Sequence, residues 1–278
     1  MQIRSIEAIP LSFRLPEGKT VRLGVGATTK RDAIIVKVVS DDGVIGYGEA
    51  HPGRSPGAIV SLIHNTLAPM LTGLSVHDTN SVWTRVNRMQ LSSHGLGAGA
   101  ALALSGIDMA LWDLRAKSLG IPLYSLLGGS RKPIAAYAGG ISMGFQAPDA
   151  LAEEAQSYVD RGYRAVKLRL GDNPKDDIAR VQRVRTQLGD QITILVDANT
   201  SYSVSDARAV LPSLEDCKVA WLEEPFGCND FGAYRQAAQL TKGVALAAGE
   251  NHYTRFEFAR LIEERAVSIL QPDLSKSG

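Results

Sequence analysis

Cysteine is scarce in this sequence: Cys217 and Cys228 are the only two, and they form no metal-binding or redox pattern. A reducing cytoplasm is the simplest home for such a chain. Charge of one sign is also missing. Thirty Lys and Arg meet 29 Asp and Glu, a net charge of +1, which gives no electrostatic reason to expect nucleic acid or an anionic membrane as partner. No run of about 18 apolar residues exists, and the start, MQIRSIEAIPLSFRLPEGK, has no continuous apolar stretch of the secretory kind. A soluble, cytoplasmic protein is expected. What the chain does have is 45% hydrophobic and 21% charged residues over 278 positions, enough for two domains or one large one.

The pattern changes near residue 130. Before it, Ile3, Ile6, Ile9 and Leu11 mark a first strand over 2–13 and DAIIVKVV a second over 32–39, with Asp41-Asp42-Gly43 turning into Val44–Glu49. The intervening LPEGKTVRLGVGATTKR, polar and Gly-rich, predicts a flexible loop. Residues 57–70, 77–91 and 98–119 predict three helices, the last ending near Gly120 with Pro122 beyond.

From residue 134 six short apolar runs follow: IAAYAG, AVKLRL, ITILVDAN, VAWLEEP, VALAAGE and VSILQPD. Amphipathic segments separate them, one with Ile178, Val181, Val184 and Leu188 on a single face. Doubly buried strands alternating with helices predict βα units and a parallel sheet. The expected fold class is therefore α/β: an α+β region over 1–130, then a TIM-like (β/α) barrel over 131–278, of which six units are present. Six are fewer than the eight strands a closed barrel needs. A fragment of a longer protein, or completion by a partner, is the expectation.

Five of the six runs end in polar residues. Lys167 and Arg169 close the second, Asp197 and Asn199 the third, Glu223 and Glu224 the fourth, Glu250 the fifth and Asp273 the sixth. A charged side chain ending an apolar strand is costly unless paired or metal-bound, and in a barrel these positions converge on one mouth. Any single acid could cap a helix or pair with a Lys or Arg. Asp197, Glu223 and Glu250, one βα unit apart, together predict an all-oxygen Mg²⁺ (or Mn²⁺) site, with no His or Cys to favour zinc. Glu224 is expected to support the site by pairing with Lys167, for which a salt bridge to Glu223 or its neighbours is the plain alternative.

The run ALSGIDMALWDLRAKSLGIPLYSLLGG (103–129), followed in order by VDAN, WLEEP, GEN and QPDLSKSG, resembles the signature of the mandelate racemase and muconate lactonizing enzyme group of the enolase superfamily. The resemblance implies an α+β capping domain over a (β/α)₇β barrel and a homo-oligomer. It also implies Asp197, Glu223 and Glu250 as Mg²⁺ ligands that stabilise the enediolate left when a substrate loses the proton beside its carboxylate. Many relatives carry Lys-x-Lys on the second strand, the second lysine being the base. Here Lys167-Leu168-Arg169 stands instead, and arginine stays protonated. Arg169 thus becomes a cation for a carboxylate, with Lys167 beside it. Asp273 matches the racemase-like branch, where Asp partners a His on the next strand and raises its pKa; that His would lie past residue 278. Lys276 is a further candidate at the rim.

One good base favours elimination over two-base racemisation, so dehydration of a sugar acid to an α-keto acid is expected. A sugar-acid lactone cycloisomerase is the runner-up, and a racemase or epimerase a further alternative. Substrate contacts are expected from Asn199, His252, and two cap loops near 15–30 and 50–57, which hold Lys19, Arg22, His51 and Arg54. His252 also reads as a loop histidine without a role, and Tyr137 as packing. Two motifs mislead. Glu17-Gly18-Lys19-Thr20 lacks the earlier glycine of a phosphate loop, and GLGAGA at 95–100 follows a helix, not a strand. A degenerate barrel serving as a binding module is the non-enzyme alternative.

Overall fold

A computed structural model describes residues 1–17, 20–23, 26–139 and 143–278. Its first half is an antiparallel sheet of β1 (Ile3–Arg14), β4 (Lys30–Ser40) and β5 (Ile45–Ala50), in the order β1-β4-β5. Ile6 and Ala8 of β1 point inward with Ile34, Val36 and Val38 of β4, the period of a half-buried strand, and Ile3 joins them across a register shift between Ile3 and Ser5. Between β1 and β4, where the composition predicted a loop, β2 (Val21–Leu23) and β3 (Gly26–Thr28) pair as a small antiparallel hairpin. The backbone pairs there despite the polar, glycine-rich composition.

The three predicted helices are present, two of them interrupted. The first is α1 (Pro56–Leu62), a π-helical turn (Ile63–Leu67) and α2 (Ala68–Leu71); the second is α3 (Thr79–Val86) with a π-helical turn (Asn87–Leu91). The third, α4 (Ala98–Ser118), is continuous and is followed by the short α5 (Leu123–Leu126). α4 lies directly on β5, where a Cβ at Gly48 would come within 2.2 Å of the Gly106 carbonyl oxygen. Only glycine permits that approach. Residues of this half, from Ile3 to Leu114, form one hydrophobic core.

A second core runs from Ala138 to Ala266. It surrounds a parallel sheet of β6 (Ala165–Arg169), β7 (Thr193–Asp197), β8 (Val219–Glu223), β9 (Ala245–Ala248) and β10 (Ile269–Leu270), paired in chain order. Helices α6 (Pro148–Asp160), α7 (Pro174–Leu188), α8 (Val204–Asp216), α9 (Phe231–Leu240) and α10 (Arg255–Glu263) alternate with these strands, and α11 (Leu274–Ser277) ends the chain. The first predicted strand, IAAYAG, is reduced to a parallel bridge of Ala138 with Val166. It still takes its place beside β6, because Ala138 N–H donates to Ala165 O and Lys167 N–H to Ala138 O.

The two halves meet where α11 packs on α4. Ser275 O accepts there from Ser105 Oγ at 2.6 Å and from His51 N–H at 2.8 Å. No helix among the described residues is long and apolar enough to cross a membrane.

Candidate active site

Strand register sets the geometry. Arg169 on β6 is the Cα partner of Asp197 on β7, and Asp197 is the partner of Glu223 on β8. Neighbouring parallel strands lie about 4.8 Å apart, so three charged side chains form a row at the sheet's C-terminal edge. Lys167, two residues before Arg169, points to the same face. Its ammonium donates to both Glu223 oxygens at 2.9 Å and to Asp197 Oδ2 at 3.2 Å. Burial opposes its charge, but Asp197 and Glu223 outweigh burial and hold its pKa above the ordinary lysine value. The predicted Lys167–Glu224 pair is therefore replaced by Lys167–Glu223 and Lys167–Asp197. Adjacent residues of a strand face opposite ways, so only one of the two glutamates can share the Lys167 face.

Arg169 Nη1 donates to Asn199 Oδ1 at 2.9 Å and reaches Asp197 Oδ2 at 3.5 Å. Asn199 N–H in turn donates to Asp197 Oδ1 at 2.8 Å. Asp197 and Glu223 are both almost fully buried, and Glu223 Oε2 also accepts from Gln271 Nε2 at 2.9 Å and Trp221 Nε1 at 3.3 Å. Gln271 and Trp221 had no role in the sequence reading. For Trp221 the spacing was an available signal, since it stands two positions before Glu223 on β8 and hence on the same face; Gln271 lies past the end of β10, where no such signal exists.

Glu224 turns into a cavity of about 660 Å³ between the halves, accepting from Asn251 Nδ2 at 2.7 Å. Its other oxygen, Oε1, is buried and has no hydrogen-bond partner among the described residues. Burial first, then the nearby Glu250 charge, push its pKa up to about 8. Glu250 lines the same cavity, and its pKa is raised by burial and by Asp197 and Glu223, with Lys276 acting against them. Asp273 caps α11 by accepting from Ser275 N–H at 2.9 Å. Lys276 is buried 3.9 Å from Asp273 Oδ2 and 3.4 Å from Asn251 Oδ1.

Across this cavity stand cap residues: Thr28, Lys30, Arg31, Asp32, His51 and Arg54. Lys30 pairs with Asp32 at 2.8 Å, whereas Arg31 and Arg54 form no ion pair among the described residues. His51 Nδ1 accepts from Gly53 N–H at 3.1 Å, and burial together with Lys276 lowers its pKa. The ring is then neutral, with its proton on Nε2 as a donor. Arg31 was missed by the sequence reading, being one exposed cation among many. Lys19 lies outside the described residues, as does the side chain of Arg22.

His252 does not face this cavity. It is 99% buried, packed between Phe231 and Phe258, with Nε2 3.0 Å from Cys228 O. Apolar neighbours on both sides hold the ring in the core, so it fastens the 226–228 turn instead of meeting substrate. Tyr137, read as packing, does pack edge-on against Trp221, but it also lies under the Lys167 ammonium, 5.8 Å from its ring centre.

Among the described residues no group of three or more His, Cys, Asp or Glu side chains stands ready to hold a metal ion; Lys167 contacts two of the three predicted ligands instead. The chemistry of the mouth nevertheless fits a divalent cation. Five carboxyl groups (Asp197, Glu223, Glu224, Glu250 and Asp273) meet three cations (Lys167, Arg169 and Lys276). Burial first, with neighbouring acids adding to it, raises the pKa values of Glu224 and Glu250. A hard cation with oxygen ligands would relieve the surplus of acid.

Known proteins resemble the chain along nearly its whole length. The mandelate racemase / muconate lactonizing enzyme N-terminal domain matches residues 9–128, and an enolase C-terminal domain-like family matches 150–278. A member of the enolase superfamily from Polaromonas sp. JS666 superposes with a TM-score of 0.97 at 62% identity, covering 100% of this chain and 73% of that one. The 3,6-anhydro-alpha-L-galactonate cycloisomerase of Streptomyces coelicolor is 30% identical over 97% of this chain and 73% of its own length. The arabinonate dehydratase of Saccharolobus solfataricus is 30% identical over 91% and 71%.

Proposed function

We propose, from the premise that this chain belongs to the mandelate racemase and muconate lactonizing enzyme family of the enolase superfamily, that it removes the proton beside the carboxylate of a sugar acid and eliminates a β-hydroxyl, yielding an α-keto acid. The observation that carries this reading is the row Arg169–Asp197–Glu223, fixed by strand register at the mouth, with Glu250 beyond it. Asp197, Glu223 and Glu250 would hold Mg²⁺, which supplies positive charge to a carboxylate whose neighbouring proton is leaving.

The chain's own residues divide the remaining work. Arg169 binds a carboxylate oxygen of the substrate and cannot take the proton, since a guanidinium stays charged. Lys167, held positive by two acids, adds electrostatic stabilisation as negative charge develops. Asp273, which caps α11, would orient the histidine base that the family resemblance implies on the next strand. His51, Arg31 and Arg54 meet the distal hydroxyls or acid group of the substrate from the cap.

Ring opening by a cycloisomerase shares the proton-removal step, and relatives of both kinds resemble this chain. Incubation of the complete protein with Mg²⁺ and a panel of mono- and di-acid sugars in D₂O separates them. α-Keto acid release supports dehydration, and lactone opening without keto acid moves the reading to the cycloisomerase. Absence of deuterium uptake, keto acid and lactone opening across the panel overturns both.

A further inference from the structure

We propose that Asp177 is a positioning residue, which fixes the turns that carry Arg169, Asp197 and Asn199. It lies in the first turn of α7, and its carboxylate is completely buried. A buried carboxylate is stable only when its oxygens are satisfied, and here three donors from three places converge on it. Gly171 N–H donates to Oδ2 at 2.9 Å and Tyr202 Oη at 2.7 Å, while Arg180 Nη1 donates to Oδ1 at 2.9 Å. Gly171 stands two residues past β6, and Tyr202 three past Asn199. Arg180 carries the connection further, from Nε to Gln146 O and from Nη2 to Asp172 Oδ2, both at 3.0 Å. One side chain thus ties the turn after β6 to the turn after β7 and to the segment entering α6.

These turns need such a tie. Asn199 and Thr200 hold φ of 44° and 63°, left-handed values that non-glycine residues keep only when their surroundings enforce them. Gly171 is wedged against the same turn, for a Cβ there would lie 2.6 Å from Ala198 O. The active-site contacts depend on this arrangement directly. Asn199 N–H orients Asp197 Oδ1, and Asn199 Oδ1 holds Arg169. Were stability the only role, a well-packed apolar side chain could serve as well as a buried ion; a carboxylate can gather three donors at fixed angles.

The inference rests on the proposed metal site, so its test pairs two readouts on the full chain. Calorimetric titration with Mg²⁺ alone, well below the melting temperature, compares wild type with Asp177→Asn. The expected result is affinity lowered about 10–100-fold, the scale of lost support behind a metal ligand. Hydrogen exchange is then followed at the Asn199 and Thr200 amides. Both should exchange at least several-fold faster in the variant, with α9 amides unchanged. A variant with a lower melting temperature but wild-type Mg²⁺ affinity and wild-type exchange at Asn199 and Thr200 overturns the proposal. If Asp177→Asn does not fold, Tyr202→Phe removes one donor with minimal change of shape and is judged by the same two outcomes. If wild type binds no Mg²⁺, the metal reading fails, and the exchange comparison alone decides the role of Asp177.

Discussion

The Lys167 ammonium lies 2.9 Å from each carboxylate oxygen of Glu223 and 3.2 Å from Asp197. One lysine therefore bridges two acids that would otherwise repel each other in the interior. Removing it by Lys167→Met should cost about 3–5 kcal/mol, the usual penalty for stranding buried charge. Added Mg²⁺ should restore more of that stability in the variant than it adds to wild type, because a cation replaces the lost charge. Thermal unfolding with and without Mg²⁺ measures this; equal gains in both proteins would count against a cation bound between Asp197 and Glu223.

Glu223→Gln makes the complementary change. Lys167 keeps Asp197 as its partner, so the fold should survive with a loss of a few degrees in melting temperature. Mg²⁺-dependent turnover should fall about 10²–10³-fold or more, as when a main electrostatic contact is lost. Retained turnover would refute the metal assignment.

Arg169→Lys places a titratable amine where a permanent cation stood. The amine can reach the same Asn199 oxygen and can lose its proton. Deuterium exchange at the substrate α-carbon, followed by NMR in D₂O, should rise relative to net elimination. Unchanged exchange confines position 169 to binding.

Arg54 lines the cap side of the cavity and, among the described residues, has no ion-pair partner. Arg54→Ala should raise KM for a di-acid sugar about three- to tenfold, somewhat less than a buried charge-assisted hydrogen bond is worth, and leave kcat nearly unchanged. Equal effects on mono- and di-acids would remove the distal carboxylate from its role.

Asp108 on α4 has its pKa raised by burial to about 6. The folded chain therefore binds a proton there that the unfolded chain, with an ordinary value of 3.8, has already released. Stability contributed by this group is complete below pH 3.8 and is lost as pH rises toward about 6. Asp108→Asn, which stays neutral, should flatten the decline and leave the variant more stable by about 2–3 kcal/mol above pH 6. Urea unfolding across pH 4–7 measures it, and parallel curves for the two proteins would contradict the assignment.

The sequence by itself determined five of the six segments expected as strands of a parallel sheet, and the residues that close them. Continuous apolar runs that end in charge can be satisfied only by burial along the run and convergence at one edge. That logic places Lys167, Arg169, Asp197, Glu223 and Glu250 at one mouth. The hairpin at 21–28 escaped it, because local composition there favours a loop and only backbone pairing makes a strand. Partner choice was decided by tertiary structure alone. Register placed Lys167 beside Glu223 and not Glu224, neighbouring aromatic rings kept His252 in the core, and the turn after β7 brought Tyr202 to Asp177 across 25 residues. Such pairings follow from the angles at which the chain returns upon itself, and those angles are set by the packing of whole helices and strands.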